Sequence, residues 1–156
     1  MHTARFALVL ASLVATACAS DGTSGPSLES PISAGLSAVA AAPVGSMSDP
    51  NVTMKVTVTS SLPETVSGGV CAQIVEGRTA SGTMWTDVTS KSFPCSTLAV
   101  SLAPGASTSI TAAADQAKIR VLVGAGSTVV LRARSALFGA SGSYGLISNE
   151  VTYQLP

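Results

Sequence analysis

The chain has 156 residues, of which 46% are hydrophobic, 10% charged and 4% aromatic, and its formal net charge is zero. Without an excess of Lys and Arg it lacks the charge signature of a nucleic-acid binder, and its apolar content excludes a disordered acidic chain. The length suits one domain, and the abundance of Ala, Val, Ser and Thr favours an all-β fold of the secreted type.

The first 17 residues have the layout of an export signal. Arg5 supplies a positive charge, and residues 6–15 form an apolar segment of about ten residues, which is too short to span a bilayer. Cys18 directly follows Ala17 at the end of this segment. The arrangement resembles the bacterial lipobox, in which the thiol is acylated before cleavage, so we expect Cys18 to carry lipid. Ala15-Thr16-Ala17 also fits ordinary signal peptidase, which would leave a secreted protein with an unused thiol.

The cysteine count agrees with a lipid anchor. Three thiols in an oxidising compartment leave one unpaired, and lipidation of Cys18 leaves Cys71 and Cys95 as one pair. A disulfide between them closes a loop of about 25 residues, for which the chain-entropy model gives roughly 3.5 kcal/mol of stabilisation. The alternative is two small buried thiols.

Removal of the signal also removes His2, the only histidine of the chain. The mature protein then lacks the side chain needed for Ser-His-Asp or Cys-His catalysis and for His-ligated metal sites. Its acids show no closely spaced run of the kind that binds calcium. We therefore expect a protein that is not an enzyme and needs no metal or other cofactor.

Residues 18–50 are rich in Gly, Ser, Ala and Pro and show little periodicity, which predicts a lipidated cysteine followed by a flexible linker. An alternative for residues 32–42 is a short helix or a segment packed on the domain.

Alternation of apolar and polar residues begins at Val52 and predicts a half-buried strand. Further short runs of this kind follow to the C-terminus. Residues 119–123 and 128–134 flank the turn sequence at residues 124–127 and predict a hairpin, whereas residues 112–118 predict a turn or a single helical turn. About seven to eight strands indicate an immunoglobulin-like antiparallel β-sandwich over residues 51–156.

Two known families share short motifs with this chain. Trp85, Phe93, the run Leu102-Ala103-Pro104-Gly105 and Ser107 resemble the core of the intracellular proteinase inhibitor (BsuPI-like) domain. The run at residues 131–134, Tyr144 and residues 148–152 are similar to the last two strands of fibronectin type III domains. Both resemblances imply an immunoglobulin-like sandwich, with Trp85 in its core. The alternative for Trp85, the only tryptophan of the chain, is an exposed anchor for recognition.

The candidate binding residues lie in the C-terminal part of the chain. Arg132 and Arg134 are two apart on a predicted strand, so they share a face that could bind a carboxylate or phosphate group, or serve only as a solvated face. Residues 137–146, with Phe138 and Tyr144, predict a recognition loop on a rigid scaffold, or a loop whose Phe138 covers the core.

Together these features predict a non-catalytic lipoprotein of the bacterial cell envelope, with an immunoglobulin-like binding or structural module. Ala19 and Ser20, in place of an aspartate after the cysteine, favour the outer membrane. The partners expected are the membrane, through the lipid, and an unidentified protein, but no nucleic acid. The alternatives are a secreted or periplasmic proteinase inhibitor and a secreted adhesion-type module without lipid.

Overall fold

The computed structural model describes residues 33–69, 73–94 and 99–156. Within these ranges the chain forms two antiparallel sheets, ten strands and one short helix, so the predicted all-β sandwich is confirmed. The elements in chain order are β1 (Leu36–Ala40), β2 (Asn51–Ser60), β3 (Val66–Gly69), β4 (Ile74–Thr79), β5 (Thr86–Asp87), β6 (Ala99–Leu102), β7 (Ser107–Asp115), α1 (Gln116–Val123), β8 (Thr128–Gly139), β9 (Gly142–Ile147) and β10 (Val151–Gln154).

The smaller sheet has the order β1-β2-β7, and the larger sheet is built on the long strand β8. On one side β8 pairs with β4 and β3, and on the other side with β10 and β9. The short strands β5 and β6 lie outside β4 and β3, respectively. The ten segments therefore occupy seven strand positions, which agrees with the strand number expected from the sequence.

Strand β2 shows why these residues form a sandwich. Val52, Met54, Val56 and Val58 are almost completely buried, whereas the threonines and Lys55 between them point to the other face. The alternation predicted from the sequence is thus a core face and a solvent face. The inner residues of β8 meet this face across the sandwich and complete one hydrophobic core.

Backbone hydrogen bonds join the two sheets along both open sides. Ser33 donates to the Gly145 carbonyl at 3.1 Å, next to β1 and β9. On the other side, Asp115 donates to the Val88 carbonyl at 2.7 Å and Ser90 to the Ala113 carbonyl at 2.9 Å. These bonds satisfy edge groups that would otherwise be free to pair with another chain.

The predicted linker, residues 18–50, includes a strand of the sandwich. Residues 36–40 form β1, which pairs with β2 from Leu36 opposite Ser60 to Ala40 opposite Val56. Leu36 and Ala40 are buried in the core, and Val44 forms a bridge to Thr53. The domain therefore begins well before residue 51, because β1 covers the side of β2 that β7 leaves open.

Two further predictions about local structure are wrong. Residues 112–118, expected as a turn or a single helical turn, are the end of β7 and the start of α1, a helix of eight residues. Residues 119–123, expected as a strand of a hairpin, belong to α1, and residues 124–127 connect this helix to β8. The Asp115 side chain caps α1 by accepting from the backbone N–H groups of Ala117 and Lys118, and Gly124 ends the helix at a positive φ of 81°. The capping residues outweigh the β-branched composition of the segment.

Candidate functional site

The predicted arginine pair lies on the outer face of the larger sheet. Arg132 is directly opposite Glu76 of β4, and Arg134 is opposite Ile74. Side chains two residues apart on a strand point to the same face, so both guanidinium groups reach the Glu76 carboxylate. The Nε atom of Arg132 donates to Glu76 Oε2 at 2.7 Å, and Nη1 of Arg134 donates to Oε1 at 2.9 Å.

Both arginines thus share the carboxylate of Glu76, a residue of the same sheet. The three side chains keep only 11–21% of their surface exposed, so solvent screens the ion pairs less than on an open surface. Hydrogen bonds between a guanidinium group and a carboxylate are stronger than those between neutral groups. The sequence leaves open whether the pair binds a carboxylate or phosphate group or is only a solvated face, and in the structure both arginines bond to Glu76 of the same sheet.

Trp85 stacks on this cluster from the exposed side. The guanidinium carbon of Arg132 lies 3.9 Å from the centre of the indole ring, and that of Arg78 lies 5.1 Å from it. Both distances are within the range of cation–π attraction. Arg78 also forms an ion pair with Glu150, 2.6 Å from Nη2 to Oε2.

The expectation that Trp85 belongs to the core is therefore wrong. Trp85 is half-buried on the outer face, outside the cluster of buried apolar side chains. The sequence missed the contributions of Glu76, Arg78 and Glu150 to this arrangement. Only alternation along β4 could have placed Glu76 and Arg78 together, and their partners depend on the register with β8.

Residues 137–146, predicted as a loop, form a tight hairpin of β8 and β9. Phe138 belongs to β8 and Tyr144 to β9, and the turn occupies only residues 139–142. Phe138 is 40% exposed on the outer face, whereas Tyr144 lies on the opposite face and donates its hydroxyl hydrogen to Glu64. The two aromatic side chains therefore do not form one binding site, and Phe138 does not cover the core.

Glu64 braces this hairpin from the segment between β2 and β3. Its Oε2 accepts from the Ser141 backbone N–H at 3.2 Å, and its Oε1 accepts from the Tyr144 hydroxyl. The bond from Tyr144 holds the pKa of the Glu64 carboxyl below its ordinary value. The same bond raises the pKa of the Tyr144 hydroxyl, because it is made by the protonated phenol.

A groove that the sequence analysis did not predict lies between α1 and β5. Its volume is about 520 Å³, and its lining is mainly apolar: Thr86, Asp87, Val88, Ala117, Lys118, Val121 and Leu122. Val121 is 89% exposed on the rim. We call these seven residues the α1–β5 groove. Because residues 119–123 were predicted as a strand, no groove beside a helix could be anticipated.

Asp87 and Lys118, the two charged residues that line the α1–β5 groove, both form hydrogen bonds with Thr89. Asp87 Oδ1 accepts from the Thr89 backbone N–H at 2.8 Å, and Lys118 Nζ donates to the Thr89 carbonyl at 2.8 Å. Desolvation raises the pKa of Asp87, but the hydrogen bonds from Thr89 and the nearby lysines outweigh it and leave the pKa lowered. The groove thus has one fixed negative and one fixed positive group at its edge.

Several predicted features lie outside the described residues: Cys18 with the export signal, and the Cys71–Cys95 disulfide. Across residues 33–69, 73–94 and 99–156, no group of three or more His, Cys, Asp and Glu side chains is placed to hold a metal ion. The same ranges contain no helix that is both long and apolar enough to span a membrane.

The chain resembles solved structures in fold. No protein-family model and no curated protein matches its sequence. A protein of Bordetella pertussis described as ApaA matches with a TM-score of 0.50 and 13% identity, over 78% of this chain and 94% of that one. The structural genomics target SoR45 matches with a TM-score of 0.52 and 8% identity, over 81% of this chain and 91% of that one.

A third similar structure is DesR, a β-glucosidase from Streptomyces venezuelae, with a TM-score of 0.44 and 16% identity. The match covers 78% of this chain but only 15% of the β-glucosidase. At these identities the first two matches show a shared sandwich fold, and a fold of this kind hosts many functions.

Proposed function

We propose that this chain is a non-catalytic lipoprotein of the bacterial cell envelope, which presents its β-sandwich as a binding or structural module. The observation that carries the proposal is the position of Cys18 directly after Ala15-Thr16-Ala17, at the end of an apolar segment. A thiol at this position is the acceptor that lipidation requires, and the mature chain would then begin with it.

The start of the fold supports a short tether. Strand β1 begins at Leu36, so at most residues 19–35 would separate the sandwich from the lipidated Cys18. A segment of this length reaches at most about 60 Å when fully extended. The sandwich would therefore stay close to the membrane surface. Several acyl chains on one cysteine anchor a protein firmly, whereas one chain alone binds only weakly.

A binding or structural role also agrees with the chemistry of the mature chain. Without His2 the chain has no histidine that could act as a general base or bind a metal. The most concentrated charges of the described domain, Glu76 with Arg132 and Arg134, are bonded to one another. Such a network rigidifies the surface of a module and holds Trp85 at that surface.

Intact-mass spectrometry of the protein purified from membranes tests the proposal. We expect a chain beginning at Cys18 with the mass of a diacylglyceryl group and any further acyl chain. Cys18→Ser is the matched variant and should lose both the added mass and membrane association. A chain that begins at Cys18 with a free thiol, or at Ser20, would contradict the anchor and favour the secreted alternative.

Membrane fractionation tests the expected location independently of the mass. Ala19 and Ser20 follow the cysteine without an aspartate, so the lipidated protein should sediment with outer-membrane vesicles. Recovery with the inner membrane would contradict this part of the proposal while leaving the lipid anchor intact.

A further inference from the structure

Strand β7 lies at one edge of the smaller sheet, and part of that edge has no backbone partner within the described ranges. Near α1 the edge is bonded: Ala113 accepts from Ser90 at 2.9 Å, and Asp115 donates to the Val88 carbonyl at 2.7 Å. In an antiparallel ladder, alternate residues direct both backbone groups to the same side. The odd-numbered residues of β7 therefore point away from β2, and those within 107–111 form no backbone hydrogen bond on that side to any described residue. We call residues 107–111 the β7 edge.

The other sheet edges are shorter or already bonded. Gly145 of β9 accepts from Ser33 at 3.1 Å, and Ala40 of β1 donates to the Asn149 side chain at 2.7 Å. Strands β5, β6 and β10 have only two, four and four residues, respectively. The β7 edge, with five consecutive residues, therefore presents a longer unpaired row of backbone groups than any of these strands.

The sequence of the β7 edge lacks the features that commonly prevent pairing between sheet edges. Natural edges are protected by charged side chains, by proline or by bulges. The β7 edge reads Ser-Thr-Ser-Ile-Thr, without charge or proline, and its register with β2 is unbroken. Ser107, Ser109 and Thr111 are exposed, whereas Thr108 and Ile110 are half-buried on the inner face. Unpaired backbone groups on a regular, uncharged edge favour the addition of another strand.

The β7 edge is complementary to the same edge of a second copy. In antiparallel pairing about a two-fold axis at Ser109, this residue is opposite its own copy, and Ser107 is opposite Thr111 of the partner subunit. Hydroxyl side chains then meet on the outer face, no charged residue takes part, and Thr108 is opposite Ile110 of the partner subunit on the inner face. Each pair of outward-directed residues exchanges two backbone hydrogen bonds, which gives about six bonds in total.

We propose that two copies of this chain pair through their β7 edges, in antiparallel register about Ser109, and join their smaller sheets into one six-stranded sheet. The pairing uses the whole of the free edge, because the next outward-directed carbonyl, that of Ala113, already accepts from Ser90. An interface formed by the same surface on both copies closes at two subunits. The inference adds a partner to the proposed module and does not depend on lipidation of Cys18.

Single cysteines in the full protein test this register. Ser109→Cys places two thiols opposite each other across the axis, within the Cα separation of about 4.4–6.8 Å that a disulfide needs. Thr111→Cys is the matched control: it is exposed on the same edge, but in this register it lies about 14 Å from its copy. After oxidation of the purified protein with copper phenanthroline, we expect a disulfide-linked dimer above the wild-type level from Ser109→Cys alone.

The double variant Ser107→Cys/Thr111→Cys brings a thiol of each copy opposite one of the other and should restore the dimer, whereas Ser107→Cys alone should not. Electrophoresis without reducing agent measures all four variants. Equal amounts of dimer from Ser109→Cys and Thr111→Cys, or no dimer from Ser109→Cys, would overturn the proposal. An adduct of Ser109→Cys with a different protein, formed when whole cells are oxidised, would overturn it as well.

Ser109→Lys and Thr57→Lys test the interface without a crosslink. Both variants lose the hydrogen bond between the two hydroxyls, 3.1 Å long, and both add a lysine to the same face of the sheet. Only at position 109 do two lysines meet across the axis, so Ser109→Lys should raise the dissociation constant of the dimer at least about tenfold. Thr57→Lys should leave it unchanged.

Size-exclusion chromatography with light scattering measures the mass of the purified full protein over a range of concentrations, with detergent micelles in excess. Circular dichroism checks that both lysine variants are folded. A wild type that stays monomeric over the whole range, or equal dissociation constants in the two variants, would contradict pairing through the β7 edge.

Discussion

Glu76 holds two arginines of β8 on one carboxylate, so its charge matters more than that of an exposed acid. Glu76→Gln keeps the shape but removes the charged acceptor that Arg132 and Arg134 share. Because hydrogen bonds to charged groups contribute about 1.5–3 kcal/mol, we expect this variant to lose about 1–3 kcal/mol of stability. Urea unfolding followed by Trp85 fluorescence measures the loss.

Glu150→Gln is the matched control for this change. The Glu150 side chain is 50% exposed and bonds one arginine, Arg78, whereas the Glu76 side chain is only 11% exposed. Exposed ion pairs contribute about 0–1 kcal/mol, so the control should lose less stability than Glu76→Gln. Equal losses in the two variants would mean that the burial of Glu76 does not strengthen its ion pairs.

The bond between Glu64 and Tyr144 makes the hairpin of β8 and β9 sensitive to acid. The pKa of Glu64 lies below 4.5, its ordinary value, because the Tyr144 hydroxyl donates to the carboxylate. A group whose pKa is lowered by folding contributes stability that is fully present above the unfolded pKa and lost as pH falls through the folded pKa. The thermal midpoint of the wild type should therefore fall as pH drops below 4.5.

Glu64→Gln should weaken this dependence, because a glutamine does not titrate. Tyr144→Phe removes the donor and should reduce the same acid-dependent loss, although it leaves the carboxylate in place. Thermal unfolding monitored by circular dichroism, from about pH 6 to about pH 3, compares the three proteins. An unchanged pH dependence in Glu64→Gln would show that other carboxylates determine the acid response.

Helix α1 depends on its first capping residue. Asp115 accepts from the N–H groups of Ala117 and Lys118 at 2.8 and 3.3 Å, and α1 has only eight residues. Loss of such a cap costs about 1 kcal/mol, so Asp115→Ala should lower the urea midpoint accordingly. Asp115→Asn retains an acceptor and should stay close to the wild type. If both variants lost the same stability, the cap would not be the cause.

The elements that the sequence predicts best are those whose pattern is local. The alternation from Val52 to Thr59 specifies β2, because the side-chain period of a strand is two residues. Helix α1 was missed because Ile119, Val121 and Val123 favour strands, although Asp115 and Gly124 mark both helix ends. β1 was missed because the surrounding composition resembles a linker.

The cross-strand contacts of the candidate site could not be predicted in the same way. Period two places Arg132 and Arg134 on one face, and this is a property of β8 alone. Their bonds to Glu76 depend on the register of two strands more than fifty residues apart in the chain. A shift of one residue in that register would direct Glu76 to the core face, and no pattern within either strand excludes it.

At the scale of the whole molecule, the folding unit includes β1, because this strand pairs with β2 and contributes buried side chains to the core. A truncated chain that starts at Ser33 retains β1, whereas one that starts at Asn51 lacks it. Loss of β1 removes buried Leu36 and Ala40 from the core and leaves the side of β2 opposite β7 without backbone partners. Burial of one leucine side chain contributes about 1.5–3 kcal/mol, to which the lost strand pairing adds.

We therefore expect the chain from Ser33, which retains β1, to unfold cooperatively, and the chain from Asn51 to be unfolded or aggregated. Denaturant titration and size-exclusion chromatography measure both. Leu36→Asp in the mature chain separates the packing contribution from backbone pairing, because it retains β1 but introduces a charge at a position that is 8% exposed. A stable, monomeric chain from Asn51 would show that β1 adds to the sandwich without being required for it.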